Sequence, residues 1–161
     1  MKKIFLIILS IAFYHADAQK LLLQKAQAFY TVSIPGMPMK DDNGNTINPK
    51  GITERFIFLE TNYNGKPTIG AISYNGILFK AEVEEKETTA NAIGIKKVNS
   101  KPVLLNRKKG NHTWKIYVYP ANGQDMAGET IKKITIKGKL GKTPFSYVVT
   151  GETELTAPDR Y

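Results

Sequence analysis

The stretch "TIGAISYNGILFKAEVE", Thr68 to Glu84, constrains the fold more than any other part of the chain. Two runs of alternating apolar and polar residues flank Asn75-Gly76. Side chains in a strand point to opposite faces in turn, so a period of two gives each run one apolar face. A two-residue hairpin turn of the favoured type needs positive φ at both central residues, which Asn and Gly tolerate. The spacing therefore predicts two antiparallel strands. The preceding "RFIFLETNYNGKPTIG" repeats the logic around Asn64-Gly65 and extends the prediction to a three-stranded meander from Thr53 to Glu85. Asn43-Gly44 and Asn122-Gly123 mark two further turns.

The same pattern recurs from Phe29 onward. "AFYTVSI" reads as a first strand, "AIGIKKV" and "PVLLN" as short strands between Ala92 and Asn106, and "HTWKIYVY" as a strand ending at Pro120. "TIKKITIKGKL", a turn at Gly141-Lys142 and "PFSYVVTGETEL" read as a terminal hairpin. In the strand Ile131 to Leu140, Ile134, Ile136 and Leu140 point one way. Lys133, Thr135, Lys137 and Lys139 point the other, and a one-residue slip would bury the lysines. Helical signal is confined to "QKLLLQKAQA", Gln19 to Ala28, which fits a short helix or an extended lead into the first strand. Eight or nine strands without a strong helix predict an all-β antiparallel sandwich, immunoglobulin-like by preference, with a small β-barrel as the alternative. Pro35 to Gly51, with three Pro and three Gly, is predicted as one long loop, a length more often functional or disordered than structural.

The N-terminus has the three parts of a secretory signal peptide. Lys2 and Lys3 supply positive charge, Ile4 to Phe13 an apolar run, and Ala16 to Ala18 small residues before a cut ahead of Gln19. A membrane span needs about 20 apolar residues, and this run is interrupted by His15 and Asp17. Residues 1–18 are thus expected to be removed. Residues 19–161 then form a single domain, exported to the periplasm or beyond, with a bacterial leaning. The chain contains no Cys, so disulfides, thiol nucleophiles and zinc–thiolate sites are excluded. Stability must come from the core.

The whole chain carries a formal charge of +9. Loss of Lys2, Lys3 and Asp17 with the leader makes it +8. Between Lys96 and Lys142 twelve Lys and Arg face only Asp125 and Glu129, whereas Glu82, Glu84, Glu85 and Glu87 form an acidic patch just before. Such asymmetry favours an anionic polymer or surface, and equally suits a solvated lysine face that keeps an exported protein soluble.

No catalytic motif emerges. A Ser–His triad needs a base and an orienter. The mature chain has only His112, in a predicted turn, and no G-x-S-x-G. Glycoside hydrolysis needs two carboxylates across a cleft. Glu82 and Glu84, like Glu152 and Glu154, sit two apart and so share a strand face instead. Asp41 to Asn45, "DDNGN", begins like a calcium loop, but Thr46 and Ile52 stand where Gly and Glu are required. Met37 and Met39 offer soft sulfur ligands without a nearby His, and fit apolar cover equally well. No metal or cofactor is expected.

"NRKKGNHTWKIYVYP", Asn106 to Pro120, concentrates the only Trp, four basic residues and two Tyr. Strand alternation from Thr113 sends Trp114, Ile116 and Val118 to the core. Lys115, Tyr117 and Tyr119 then share a face able to stack rings and present charge. The candidate polymer-binding face comprises Arg107, Lys108, Lys109, Lys115, Tyr117, Tyr119, Lys133, Lys137 and Lys139. The candidate partner-binding loop carries Met37, Met39, Asp41 and Asp42. The leading expectation is a non-catalytic domain that binds a protein or a cell-envelope partner. A binding module for an anionic or saccharide polymer is the alternative, and a carboxylate hydrolase or small-ligand barrel the third. Export argues against genomic nucleic acid as partner.

Overall fold

The computed structural model describes residues 22–33, 39–44, 46–47, 51–86, 92–121 and 129–157. The leader, Met37 and Asn122-Gly123 lie outside the described residues. The described residues are nearly all β, as expected, and their main sheet is mixed and curls into a half-barrel. The strands are β1 (Leu23–Ser33), β2 (Met39–Lys40), β3 (Thr46–Ile47), β4 (Ile52–Thr61), β5 (Thr68–Tyr74) and β6 (Ile77–Glu85). They continue as β7 (Ala92–Ile95), β8 (Pro102–Leu104), β9 (His112–Pro120), β10 (Ile134–Leu140), β11 (Thr143–Val149) and β12 (Thr153–Leu155). Eight of them form one sheet in the order β11-β10-β5-β6-β9-β4-β1-β12, while β2–β3 and β7–β8 make two small ribbons. Eight of the described strands thus form one curled sheet, the curvature that the barrel alternative required. Leu23 onward takes the extended alternative to the N-terminal helix.

Chain geometry forces the curl. Seven inter-strand spacings make a flat eight-stranded sheet roughly 34 Å wide. Yet β11 at one edge ends at Val149 and β12 at the other begins at Thr153. Four Cα steps reach at most roughly 14 Å, so the edges must approach each other. Ala26 to Phe29 of β1 and Val149 to Thr153 accordingly line one groove. Direction follows too. From β1 to β11 seven strands alternate antiparallel, so the first and seventh run the same way. β12 continues in the direction of β11 and therefore pairs parallel with β1, Phe29 opposite Thr153 and Thr31 opposite Leu155.

The hairpin at Asn75-Gly76 forms as predicted, with φ of 47° and 94°, and so does the β10–β11 hairpin. The third strand of the expected meander does not join it: β4 pairs with β1 and β9, and β9 separates it from β6. Residues 62–67 instead carry the chain from β4 across to β5. Alternation fixes a strand's faces but not its neighbour, and β9 belongs in that gap because its apolar face completes the core. Trp114 Nε1 donates to the buried Thr61 Oγ1 at 3.0 Å and ties β9 to the end of β4.

Two apolar clusters lie on opposite faces of the sheet. The inner one packs Ile57, Leu59, Ile72, Tyr74, Phe79, Trp114, Ile116, Ile134 and Ile136 among others. The outer one joins Phe29, Phe56 and Phe58 to Val103, Leu105 and Leu155, with Ile93 against it. The β7–β8 ribbon supplies its cover. Ile134, Ile136 and Leu140 are buried and Lys137 and Lys139 exposed, the expected register. Gly138 shares the inward phase but has no room for a side chain. A Cβ there would run into the Thr68 carbonyl and come within 3.0 Å of the Phe145 ring.

The predicted loop from Pro35 to Gly51 holds the β2–β3 ribbon, Met39 opposite Ile47. Asp41 builds its turn: Oδ1 accepts from the Asn43 amide at 3.0 Å, and its carbonyl accepts from Gly44 at 2.9 Å. Side-chain acceptors of this kind stabilise turns locally, which assigns a structural job to Asp41. Asp42 is exposed. No described helix is long and apolar enough to cross a membrane.

Candidate functional site

β6 and β9 present one outward face. Pairing places Lys80 beside Tyr119, Glu82 beside Tyr117 and Glu84 beside Lys115. The predicted Lys115, Tyr117 and Tyr119 set is therefore brought together, but on a face that carries its own acids. Tyr117 donates to Glu84 Oε2 at 3.0 Å, and Lys86 donates to Glu84 Oε1 at 2.9 Å. The hydrogen bonds from Lys86 and Tyr117 hold the Glu84 carboxyl below the usual range. Tyr119 is pushed up by desolvation and by Glu82. Lys115 Nζ lies 4.5 Å from the centroid of Phe56 and 4.3 Å from that of Tyr117. Desolvation there lowers its pKa, with Lys86 adding to the effect. The ammonium is thus sandwiched between two rings rather than extended into solvent.

The remaining basic residues lie elsewhere. Arg107, Lys108 and Lys109 occupy the turn before β9. Glu60 anchors that turn, its Oε1 accepting from the Lys108 amide at 3.0 Å and from the Asn111 side chain. His112 and Tyr119 stand near opposite ends of β9, roughly 24 Å apart by strand rise. His112 Nδ1 meets Glu85 Oε1 at 2.9 Å, and its ring stacks on Trp114. Lys137 and Lys139 project from β10, which β5 and β6 separate from β9. Three strand spacings amount to at least roughly 14 Å along the sheet, and the curl turns the two outward faces apart. Lys133 precedes β10 and donates its amide to Asn75 Oδ1 at 3.2 Å. The nine predicted residues thus form three groups.

β5 and β6 create a feature that local pattern could not announce. They pair only at Ile72–Phe79, Ser73–Leu78 and Tyr74–Ile77. Beyond Ile72, β5 follows β10 and reaches Thr68, with an irregularity near Gly70. Beyond Phe79, β6 follows β9 to Glu85. The two strands therefore splay, and Thr68 to Ala71 and Lys80 to Glu85 leave facing edges unpaired with each other. A cleft of about 660 Å³ occupies the wedge, lined by residues 69–72, 79–82 and Tyr119. Ile69, Ala81 and Val83, which pack against the inner cluster, are only partly buried.

A second constellation lies at one end of the half-barrel interior. Arg55 and Glu152 have side chains only 5% exposed, and Arg55 Nε lies 3.3 Å from Glu152 Oε1. The Arg55 guanidinium stands 6.0 Å from the Tyr30 ring centroid and 5.8 Å from that of Tyr74. Burial pushes the Glu152 carboxyl up, against the pull of Arg55. Burial likewise raises the Tyr74 hydroxyl. Nearby, the Tyr30 hydroxyl donates to Glu154 Oε2 at 3.3 Å, and Lys97 pairs with Glu154 at 2.7 Å. Sequence reading did not pair Arg55 with Glu152, 97 residues away. One signal was available: Arg55 opens the in-phase series Arg55, Ile57, Leu59, Thr61, all of which are buried. A charge in phase with a core face asks for a partner.

Among the described residues no group of three His, Asp or Glu side chains is placed to hold a metal ion. No family model matches the chain, and neither a curated protein nor a solved structure shows significant similarity to it.

Proposed function

We propose that this chain is an exported, non-catalytic domain that binds a protein partner, and that the partner adds an extended segment at the splayed β5–β6 edge. The observation that carries the reading is the wedge itself: two strand edges diverge while each remains paired on its other side. Unpaired strand edges offer backbone donors and acceptors that template another strand. Strand addition then takes affinity from the main chain and specificity from side-chain pockets. Ile69, Ala81 and Val83 would supply apolar contacts on one side of the added strand. Lys80, Glu82 and Tyr119 would supply polar ones on the other. Export follows from the leader read in the sequence, with the periplasm or the cell exterior as destination.

A reversible staple tests the proposal. Ala71 and Lys80 are the next outward positions after Ser73 and Leu78, so Ala71→Cys with Lys80→Cys would join the strands across the wedge. The native chain has no Cys to interfere. Capture of a protein from envelope extract should be lost on oxidation and restored by reductant. It should also survive high salt, because backbone pairing is not an ionic contact. Equal capture in both redox states would sink the reading.

The Lys115, Tyr117 and Tyr119 face supports a second reading, a surface for a saccharide or anionic polymer. Its support is the shared outward phase of the three residues on β9. The carboxylates opposite them count against an anionic ligand. Binding to such a polymer that falls steeply with salt would favour it.

A further inference from the structure

We propose that the pocket over the Arg55–Glu152 pair is a binding site for a small neutral polyhydroxylated ligand of about the size of one sugar ring. It has a volume of about 290 Å³, and Tyr30, Thr53, Arg55, Glu129, Thr130 and Glu152 are among its walls. At about 30 Å³ per water, that is room for about ten waters.

One polar atom of the lining marks the site as more than a structural ion pair. Glu152 Oε2 is buried without a hydrogen-bond partner among the described residues. Buried polar atoms are nearly always paired, and each exception calls for a reason. A buried ion pair is weak support for stability, since well-packed apolar residues commonly do as well. Glu152 also lines the pocket. The terminal carboxylate torsion is soft, so a small rotation would present Oε2 to a ligand while Oε1 remains near Arg55.

Charge selects the ligand class. A cation would meet Arg55 at the floor, and an anion would meet Glu152 there and Glu129 beside it. A neutral ligand rich in hydroxyls avoids both repulsions. Its hydroxyls can donate to the free carboxylate oxygen and exchange hydrogen bonds with the Thr53 and Thr130 hydroxyls. Tyr30 offers a ring face at the wall, although Arg55 already approaches it.

D-Glucose, observed by saturation-transfer NMR with the purified exported chain, is the test, with acetate and methylammonium as charged counterparts. Saturable D-glucose binding is expected, with acetate and methylammonium binding more weakly. Glu152→Gln should weaken it by about tenfold, the scale of one hydrogen bond to a charged group. Thr130→Val, at an exposed position away from the core, should weaken it about threefold and keeps the test decisive if Glu152→Gln fails to fold. Binding should be indifferent to the oxidised Ala71→Cys, Lys80→Cys staple, which separates this site from the β5–β6 wedge. Absence of saturable binding would overturn the proposal. So would binding unchanged in Thr130→Val and in folded Glu152→Gln, or tighter binding of either charged probe.

Discussion

β4 and β6 flank the same strand, β9, yet live in different surroundings. From Arg55 to Thr61 every residue of β4 is buried, whereas in β6 only Phe79 is. The inward face of β4 packs into the half-barrel core, and its outward face lies under Val103 and Leu105. β6 has no such cover: Leu78, Lys80, Glu82 and Glu84 are exposed, and its edge beyond Phe79 parts from β5. Coverage on two faces makes a strand an anchor, and coverage on one leaves backbone and side chains available. In this domain the anchor and the available edge are one strand apart, so a partner engaging β6 would meet a sheet already held by β4 and β9.

Trimming one inward side chain in each strand puts that difference to its most severe test. Leu59→Ala removes a fully buried side chain from β4 and should cost about 2–5 kcal/mol. Val83→Ala, on a partly buried β6 position, should cost about 1 kcal/mol, because less area leaves water when it folds. Urea unfolding of the two variants checks this. Equal losses would mean that the wedge is closed in solution and β6 is as well covered as β4.

Gly138→Ala follows in size. The new Cβ meets the Thr68 carbonyl, a backbone atom that cannot swing aside, and crowds the Phe145 ring. Overpacking of this kind costs about 1–3 kcal/mol. Because β10 pairs with β5 at this point, the variant should also loosen the Thr68 to Ala71 stretch of β5. Amide exchange at Thr68 to Ala71 should then accelerate more than exchange in β4.

These contrasts also show where the sequence was legible. Lys133, Thr135, Lys137 and Lys139 alternate with apolar partners, and that period alone set the face of β10. Asn75-Gly76 announced its turn because positive φ restricts residue type. Asn64-Gly65 has the same two letters but sits in a crossing segment, where the Tyr63 ring lies against Gly65 and Gly141. A dipeptide records local tolerance, and the partner of β4 was decided by how the whole sheet fills its core. The candidate site divides likewise. Lys115, Tyr117 and Tyr119 were placed on one face by alternation. The opposing Glu82 and Glu84, the wedge and the Arg55–Glu152 pair depend on which strands meet, and that information is long-range.

Asn75→Ala tests the hairpin that holds the closed end of the wedge. The Asn75 side chain accepts from the Lys132 and Lys133 amides at 3.0 and 3.2 Å and donates to the Thr130 carbonyl at 3.0 Å. Its backbone also sits at positive φ, which Ala tolerates poorly. A loss of about 1–2 kcal/mol in urea unfolding is expected, at the usual scale of lost hydrogen bonds. An unaltered midpoint would show that the hairpin does not depend on this side chain.

The smallest effect is in pH dependence, where the interior and the outer face should carry opposite signs. Burial raises Glu152 in the folded chain, so between the ordinary carboxylate range near about 4.3 and its raised value the folded state binds more protons than the unfolded state. Stability from this group therefore falls as pH rises through that window. Glu84 is held low by Lys86 and Tyr117, so its contribution is present above the ordinary range and lost as pH falls through its lowered value. Full exposure keeps that contribution small. Unfolding free energy measured against pH should lose a negative slope in Glu152→Gln and a shallow positive one at more acidic pH in Glu84→Gln. An unchanged profile in Glu152→Gln would mean that the fold does not disfavour the charged form of this carboxyl, and the contrast between a buried interior pair and an exposed outer one would no longer hold.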